Sequence, residues 1–247
     1  MAAVVAAGLG AGAINTVVGS GTLITFPILL AVGYSPVLAN VTNTVGLAPG
    51  GVSGAYGYRA ELAGQRRRLV ALGALAVAGG LSGGLLLLAL PEEAFRVIVP
   101  VLVGVAVVLV AIQPRVGTRA RSGDGVGIAR GGRIAFRAGI FGTGLYGGYF
   151  GAAQGVLLVG LMGVFLDEDL QRVNAAKNVL ATLVNATAAL LFVAVSDVAW
   201  AAVALLAVGS VIGGQLGARV GRRLPAPALR AVVIAVGLVA LVALMWR

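Results

Sequence analysis

Two short stretches bring glycine, hydroxyl and amide groups together in a way that suits a small anion. The first runs from Asn15 to Thr22 around Gly19-Ser20-Gly21, and the second from Gly147-Gly148 through Gly151 to Gln154 and Gly155. Glycine lets backbone N–H groups approach an oxyanion closely, and Ser20, Thr22 and Gln154 add neutral donors. Farther along each half lie further polar groups, Thr42 and Asn43 in one and Asn174, Lys177, Asn178 and Thr182 in the other. Asn178, Thr182 and Asn185 follow i, i+4, i+7 spacing and share one helical face, with Asn174 one turn earlier. Such amides either contact a substrate or tie helices together. Lys177 is the single lysine of the chain and sits in an apolar stretch. A charge at that depth points to function, here anion binding. The alternative is that it snorkels to the surface or pairs with the nearby turn Asp167-Glu168-Asp169.

What the chain lacks narrows the chemistry. It has no Cys and no His, so disulfides, thiolate nucleophiles, imidazole bases and His/Cys metal sites are excluded. Every Asp and Glu falls in a loop or at a helix end once the spans below are assigned, which leaves no buried carboxylate for a cation or a proton relay. Catalytic residues, an enzyme activity, a metal and a cofactor are therefore not expected.

Of the 247 residues, 60% are hydrophobic and 11% charged, against roughly 45–50% and about 25% in soluble domains. Apolar surface on this scale needs lipid as a second solvent, so the chain reads as an integral membrane protein of the all-α class. The net charge of +10 does not indicate nucleic acid, because the basic residues lie in short loops between apolar runs. The expected partners are a small anionic substrate and the lipid bilayer, with a homo-oligomer left open. Met1 to Ala7 lack the basic start of a signal peptide, and the apolar beginning is read as part of the mature chain.

Apolar runs fall at 2–18, 22–34, 37–58, 69–90, 94–113, 135–150, 152–166, 173–195, 198–218 and 228–246. Six have the roughly 20 residues that cross a bilayer; the other four are short and come as two adjacent pairs, each broken by glycine. Gly12 and Gly19 recur as Gly144 and Gly151, 132 residues on; Asn43 recurs as Asn178, and Gly79, Gly83 and Gly84 as Gly209, Gly213 and Gly214. Pro91 and Arg96 likewise recur as Pro225 and Arg230. The chain is thus expected to hold two similar halves, 1–113 and 135–247, joined by an Arg/Gly-rich linker, 114–134. Each half is a broken helical hairpin plus three transmembrane helices, giving about 8–10 helical segments in all.

With the loop carrying Arg59, Arg66, Arg67 and Arg68 placed in the cytoplasm, every basic residue except Arg96 and Arg247 lands on that side. The protein is then multi-pass in the cell (inner) membrane. The third segment of one half runs inward and its counterpart outward, so the halves are inverted, a common build for secondary transporters with a site near the midplane. Duplication giving a plain structural bundle is the alternative. The run from Thr22 to Tyr34 is about 20 Å long as a helix, which brings the Gly19-Ser20-Gly21 tip near the midplane of a core about 30 Å thick. There the tip must be buried in protein. Pro49-Gly50 is expected to interrupt the third segment. The small-xxx-small series at Gly79, Gly83 and at Gly209, Gly213, Gly217, Gly221 is read as helix packing.

On these residues the sequence resembles the sulfite exporter TauE/SafE family of membrane permeases. The resemblance spans nearly the whole chain. It rests on Gly12-Ala13-Ile14-Asn15-Thr16-Val17-Val18-Gly19-Ser20-Gly21, a following helix with Pro27, Ser35-Pro36 and Ala39-Asn40-Val41-Thr42-Asn43. In the second half it rests on Gly151-Ala152-Ala153-Gln154-Gly155 and Arg172-Val173-Asn174-Ala175-Ala176-Lys177-Asn178. The resemblance implies a two-repeat carrier for small sulfur-containing anions such as sulfite, thiosulfate or organosulfonates. Family members often carry a further glycine where this chain has Ser20, which implies a differently tuned anion loop. Export would fit the energetics, since an anion leaving a negative cytoplasm gains about 2.3 kcal/mol per 100 mV. A permease for a neutral or cationic metabolite and a non-transporting membrane scaffold are the competing readings.

Overall fold

The computed structural model describes residues 2–119 and 130–220 and single positions between 231 and 242, with side chains over 3–111 and 132–220. The centre of the linker lies outside the described residues. So do Gly221, Arg222, Arg223, Pro225, Arg230 and Arg247, together with most of the 228–246 run. Among the described residues the chain is all-helical. In order come α1 (Ala2–Val17), α2 (Thr22–Val32), α3 (Pro36–Gly57), a 3-10 turn (Arg59–Leu62), α4 (Arg66–Ala89) and α5 (Glu92–Arg119). Then follow α6 (Arg130–Tyr149), α7 (Gln154–Phe165), α8 (Leu170–Val195) and α9 (Trp200–Val220). Four of these, in α4, α5, α8 and α9, are long and apolar enough to cross a membrane.

Both glycine breaks turn the chain in the same manner. At the first elbow the amides of Val18 and Gly19 converge on the Ile14 carbonyl, at 2.7 and 3.0 Å. At the second, Phe150 and Gly151 converge on Tyr146, at 2.9 and 3.1 Å. The turning residues, Gly19 (φ +86°) and Gly151 (φ +77°), are left-handed, a conformation that ends a helix at no steric cost only for glycine.

The hairpins are held by close backbone packing on other helices. α1 lies along α9 and α6 along α4. A Cβ at Gly209 or Gly213 would overlap the Val5 or Leu9 carbonyl of α1, and one at Gly79 or Gly83 the Phe141 or Leu145 carbonyl of α6. The small-residue series is thus a packing device, as its spacing predicts. α3 and α8 run in opposite directions: near the start of α3, Thr42 meets Ala199 beyond the end of α8, at 3.2 Å. After the end of α3, Tyr58 packs with Ala175, near the start of α8.

The starts of α4 and α8 lie together. There Glu168 accepts from Arg172 at 2.6 Å and Arg68 at 3.0 Å, and Gln65 Nε2 donates to the Arg172 carbonyl at 3.2 Å. The two arginines hold the Glu168 carboxyl below the usual carboxylate range, the hydrogen bond from Arg172 contributing most.

Three expectations need correction. α3 continues through Pro49 and Gly50 without interruption and packs along α9: Gly50 lies against Ser210, whose Oγ donates to the Gly46 carbonyl at 3.1 Å. The 135–150 run extends to a 20-residue helix, since α6 begins at Arg130, and α5 reaches Arg119. The linker therefore enters and leaves as helix, because arginine is a good helix former and hydropathy says nothing of where a polar helix ends.

Candidate functional site

The two elbows touch. Gly155, the second residue of α7, donates its N–H to the Gly19 carbonyl at 3.1 Å. A Cβ on either glycine would overlap the Cα of the other, so the approach is backbone on backbone.

At the first elbow the carbonyl end of α1 is covered by α8. Lys177 Nζ donates to the Asn15 and Thr16 carbonyls, each at 3.0 Å. Asn174 and Asn178 donate to the same Thr16 carbonyl at 3.3 and 3.2 Å. These are carbonyls that a helix end leaves without intrahelical partners, at the negative pole of its dipole. Lys177 is 0% exposed, and its stem passes Gly155, where a Cβ would stand 2.9 Å from its Cδ. It neither snorkels nor pairs with the acidic turn, whose Glu168 belongs to Arg68 and Arg172. Among the described residues no carboxylate pairs with it.

The amide end of the same elbow is buried and unpartnered. The N–H groups of Ser20, Gly21 and Thr22, at the positive pole of α2, have no acceptor among the described residues. Ser20 is 1% exposed and its Oγ has no partner. Beside them Asn43 holds α2 in place: Thr25 Oγ1 donates to its Oδ1, and its Nδ2 donates to Thr22 Oγ1 at 3.2 Å. One elbow thus has its negative pole covered by a buried ammonium and its positive pole without an acceptor among the described residues, the polarity with which a helix N-terminus attracts negative charge.

The second elbow is braced by its own side chains. Tyr146 OH donates to the Ala152 carbonyl at 2.5 Å, and Gln154 Nε2 to the Thr143 carbonyl at 3.2 Å. Gln154 is therefore a brace folded back on α6 and does not face the first elbow as a free donor. Asn40 Nδ2 donates to the Tyr149 carbonyl at 2.9 Å, reaching across from α3. Phe26, Phe95 and Phe150 pack in edge contacts around this elbow, with Phe26 and Phe150 5.2 Å apart.

Of the residues singled out in the sequence, the structure brings Asn15, Gly19, Ser20, Gly21, Thr22, Gly155, Asn174, Lys177 and Asn178 to the first elbow, with Asn43 beside α2. Gly151 and Gln154 shape the second. Thr42 faces away and accepts the Ala199 N–H at the start of α9. Thr182 lies lower on α8, its Oγ1 donating to the Asn178 carbonyl at 2.6 Å and standing against Gly51. Sequence reasoning gave no role to Thr16, Thr25, Asn40 or Tyr146. Thr16 acts through its carbonyl, which no side-chain pattern signals, whereas Asn40 sits one turn before Asn43 and could have been read from that spacing.

Comparison with known proteins fits this geometry. Residues 4–244 match the family described as sulfite exporter TauE/SafE. The chain is 29% identical over 215 residues to a protein named probable membrane transporter protein YfcA from Escherichia coli K12, covering 85% of this chain and 76% of that one. The proteins of that name from the strains O6:H1 and O157:H7 match equally. No solved structure matches the chain. With its paired glycine elbows and membrane-length helices, the chain belongs to the sulfite exporter TauE/SafE family and is a membrane transporter.

Proposed function

We propose that the protein is a secondary transporter that exports small sulfur-containing anions such as sulfite, thiosulfate or organosulfonates across the cell (inner) membrane. The anion sits at the first elbow, on the amides of Ser20, Gly21 and Thr22 and the Ser20 hydroxyl, with Lys177 supplying the compensating charge. Two of the Lys177 N–H groups serve the α1 carbonyls, which leaves the third for the cargo. Residues 1–113 and 135–247 are two inverted halves, joined by the 114–134 linker, and rocking of one against the other at the Gly19–Gly155 contact exposes the site to each side in turn. On this reading the Arg68–Glu168–Arg172 end faces the cytoplasm, following the basic loops.

The observation that carries this reading is a buried ammonium with no carboxylate partner among the described residues, at the same elbow as a helix N-terminus whose first amides lack acceptors. A charge so placed is costly unless paired, and a mobile anion would supply the pair. Export follows from charge, since an anion leaving a negative interior gains about 2.3 kcal/mol per 100 mV without a coupling ion.

Purified protein in liposomes tests it. With the loaded lumen negative, thiosulfate or sulfite should leave in a saturable, electrogenic flux. Flux of a cation or neutral solute with no anion current, or no saturable flux at all, would replace this reading by one of its rivals.

A further inference from the structure

The two helix ends that precede the elbows can be compared residue for residue. Ile14 and Tyr146 both accept two amides of the turn, so Asn15 corresponds to Gly147 and Thr16 to Gly148. At the first end, Lys177 and two asparagines cover the Asn15 and Thr16 carbonyls. At the second, the Gly147 and Gly148 carbonyls have no such partner among the described residues, and the amide of Asn40 holds the next one, that of Tyr149. Asn40 is 0% exposed and its Oδ1, an acceptor, has no donor. Tyr149 OH, on the last residue of α6, is also buried without a partner.

We propose that the C-terminal end of α6 binds a monovalent cation, Na⁺, through Asn40 Oδ1 and the Gly147 and Gly148 carbonyls. The ion does for the second elbow what the Lys177 ammonium does for the first: it neutralises the negative pole of a helix that ends inside the protein. The donor set is neutral oxygen, with no group of three acidic, His or Cys side chains among the described residues. A divalent ion would demand carboxylates, so the site selects a single charge. Phe95 packs on Tyr149 and on Phe150, apolar surroundings in which ion–carbonyl attraction is stronger than in water. This site stands independently of the anion reading, since it rests on α6 and Asn40 alone.

Thermal unfolding of the full-length protein in detergent tests it, with NaCl replaced by choline chloride at constant ionic strength so that screening is held fixed. Na⁺ should raise Tm saturably, by about 2–4 °C. Asn40→Ala should abolish that rise. Asn40→Asp, which adds ligand charge while giving up the Nδ2 hydrogen bond to the Tyr149 carbonyl, should lower the half-saturating Na⁺ concentration on the order of tenfold. Should Asn40→Ala fail to fold, the Asn40→Asp titration decides alone. Equal Tm in the two salts, or an Asn40→Asp protein with no Na⁺ response, would overturn the site and leave a buried water as the partner of Asn40.

Discussion

The Gly155 N–H donates to the Gly19 carbonyl at 3.1 Å, joining two elbows that lie 136 residues apart. Neither glycine has room for a Cβ, so the place where the two hairpins meet is a backbone contact with no slack. The proposed rocking about this point would keep the pivot and the proposed anion seat on the same elbow, coupling movement to occupancy.

Gly19→Ala should destabilise the protein on two counts, the left-handed turn and the overlap with Gly155, each about 1–3 kcal/mol. Thermal unfolding in detergent would show a fall in Tm of about 2–4 °C for each kcal/mol. Gly155→Ala, which has the overlap and no left-handed strain, should fall less. A Gly19→Ala protein as stable as the wild type would mean that the elbows stand apart.

Thr42 and Ser20 separate structure from binding. Thr42→Val removes the acceptor for the Ala199 N–H and should cost about 1 kcal/mol of stability while leaving anion affinity unchanged. Ser20→Ala removes a donor with no structural partner and should do the reverse, weakening thiosulfate binding about five- to tenfold with little change in Tm. Calorimetric titration and thermal unfolding of both proteins read the two effects side by side.

Gln154→Leu should lower stability and spare anion affinity, because its amide is folded back onto the Thr143 carbonyl of its own hairpin. Loss of binding in this variant with an intact fold would return the second elbow to the anion seat.

Acid should loosen the end where α4 and α8 begin. Glu168 is held below its ordinary pKa by Arg172 and Arg68, so its contribution is present above the unfolded carboxyl value of about 4.3 and is lost as pH falls through the lower folded value. Tm measured from pH 7 down to about 3 should drop in that window, and Glu168→Gln should flatten the drop.

The hairpins, their glycine breaks and the helix order were legible in the sequence because glycine spacing and hydropathy report backbone turns and lipid contact directly. Pro49 misled, since one proline removes a single i→i−4 hydrogen bond and a helix packed along a neighbour, as α3 is along α9, can run through it. Lys177 stands out in the sequence as the lone lysine in an apolar stretch, yet its carbonyl partners on α1 lie more than 160 residues away and carry no side-chain signature. Thr42, one residue before Asn43, turned out to face α9, because adjacent helical positions point about 100° apart. Gln154 reads as a donor in sequence and is consumed by its own hairpin in the fold.

The most direct measurement is the affinity of purified protein for thiosulfate and sulfite, titrated calorimetrically on the wild type and on Lys177→Met. The wild type should bind one anion per chain with an affinity that weakens as salt rises. Lys177→Met, with the ammonium gone and its shape roughly kept, should lose at least about tenfold in affinity. An isotherm unchanged by that substitution would contradict an anion seat built on the first elbow.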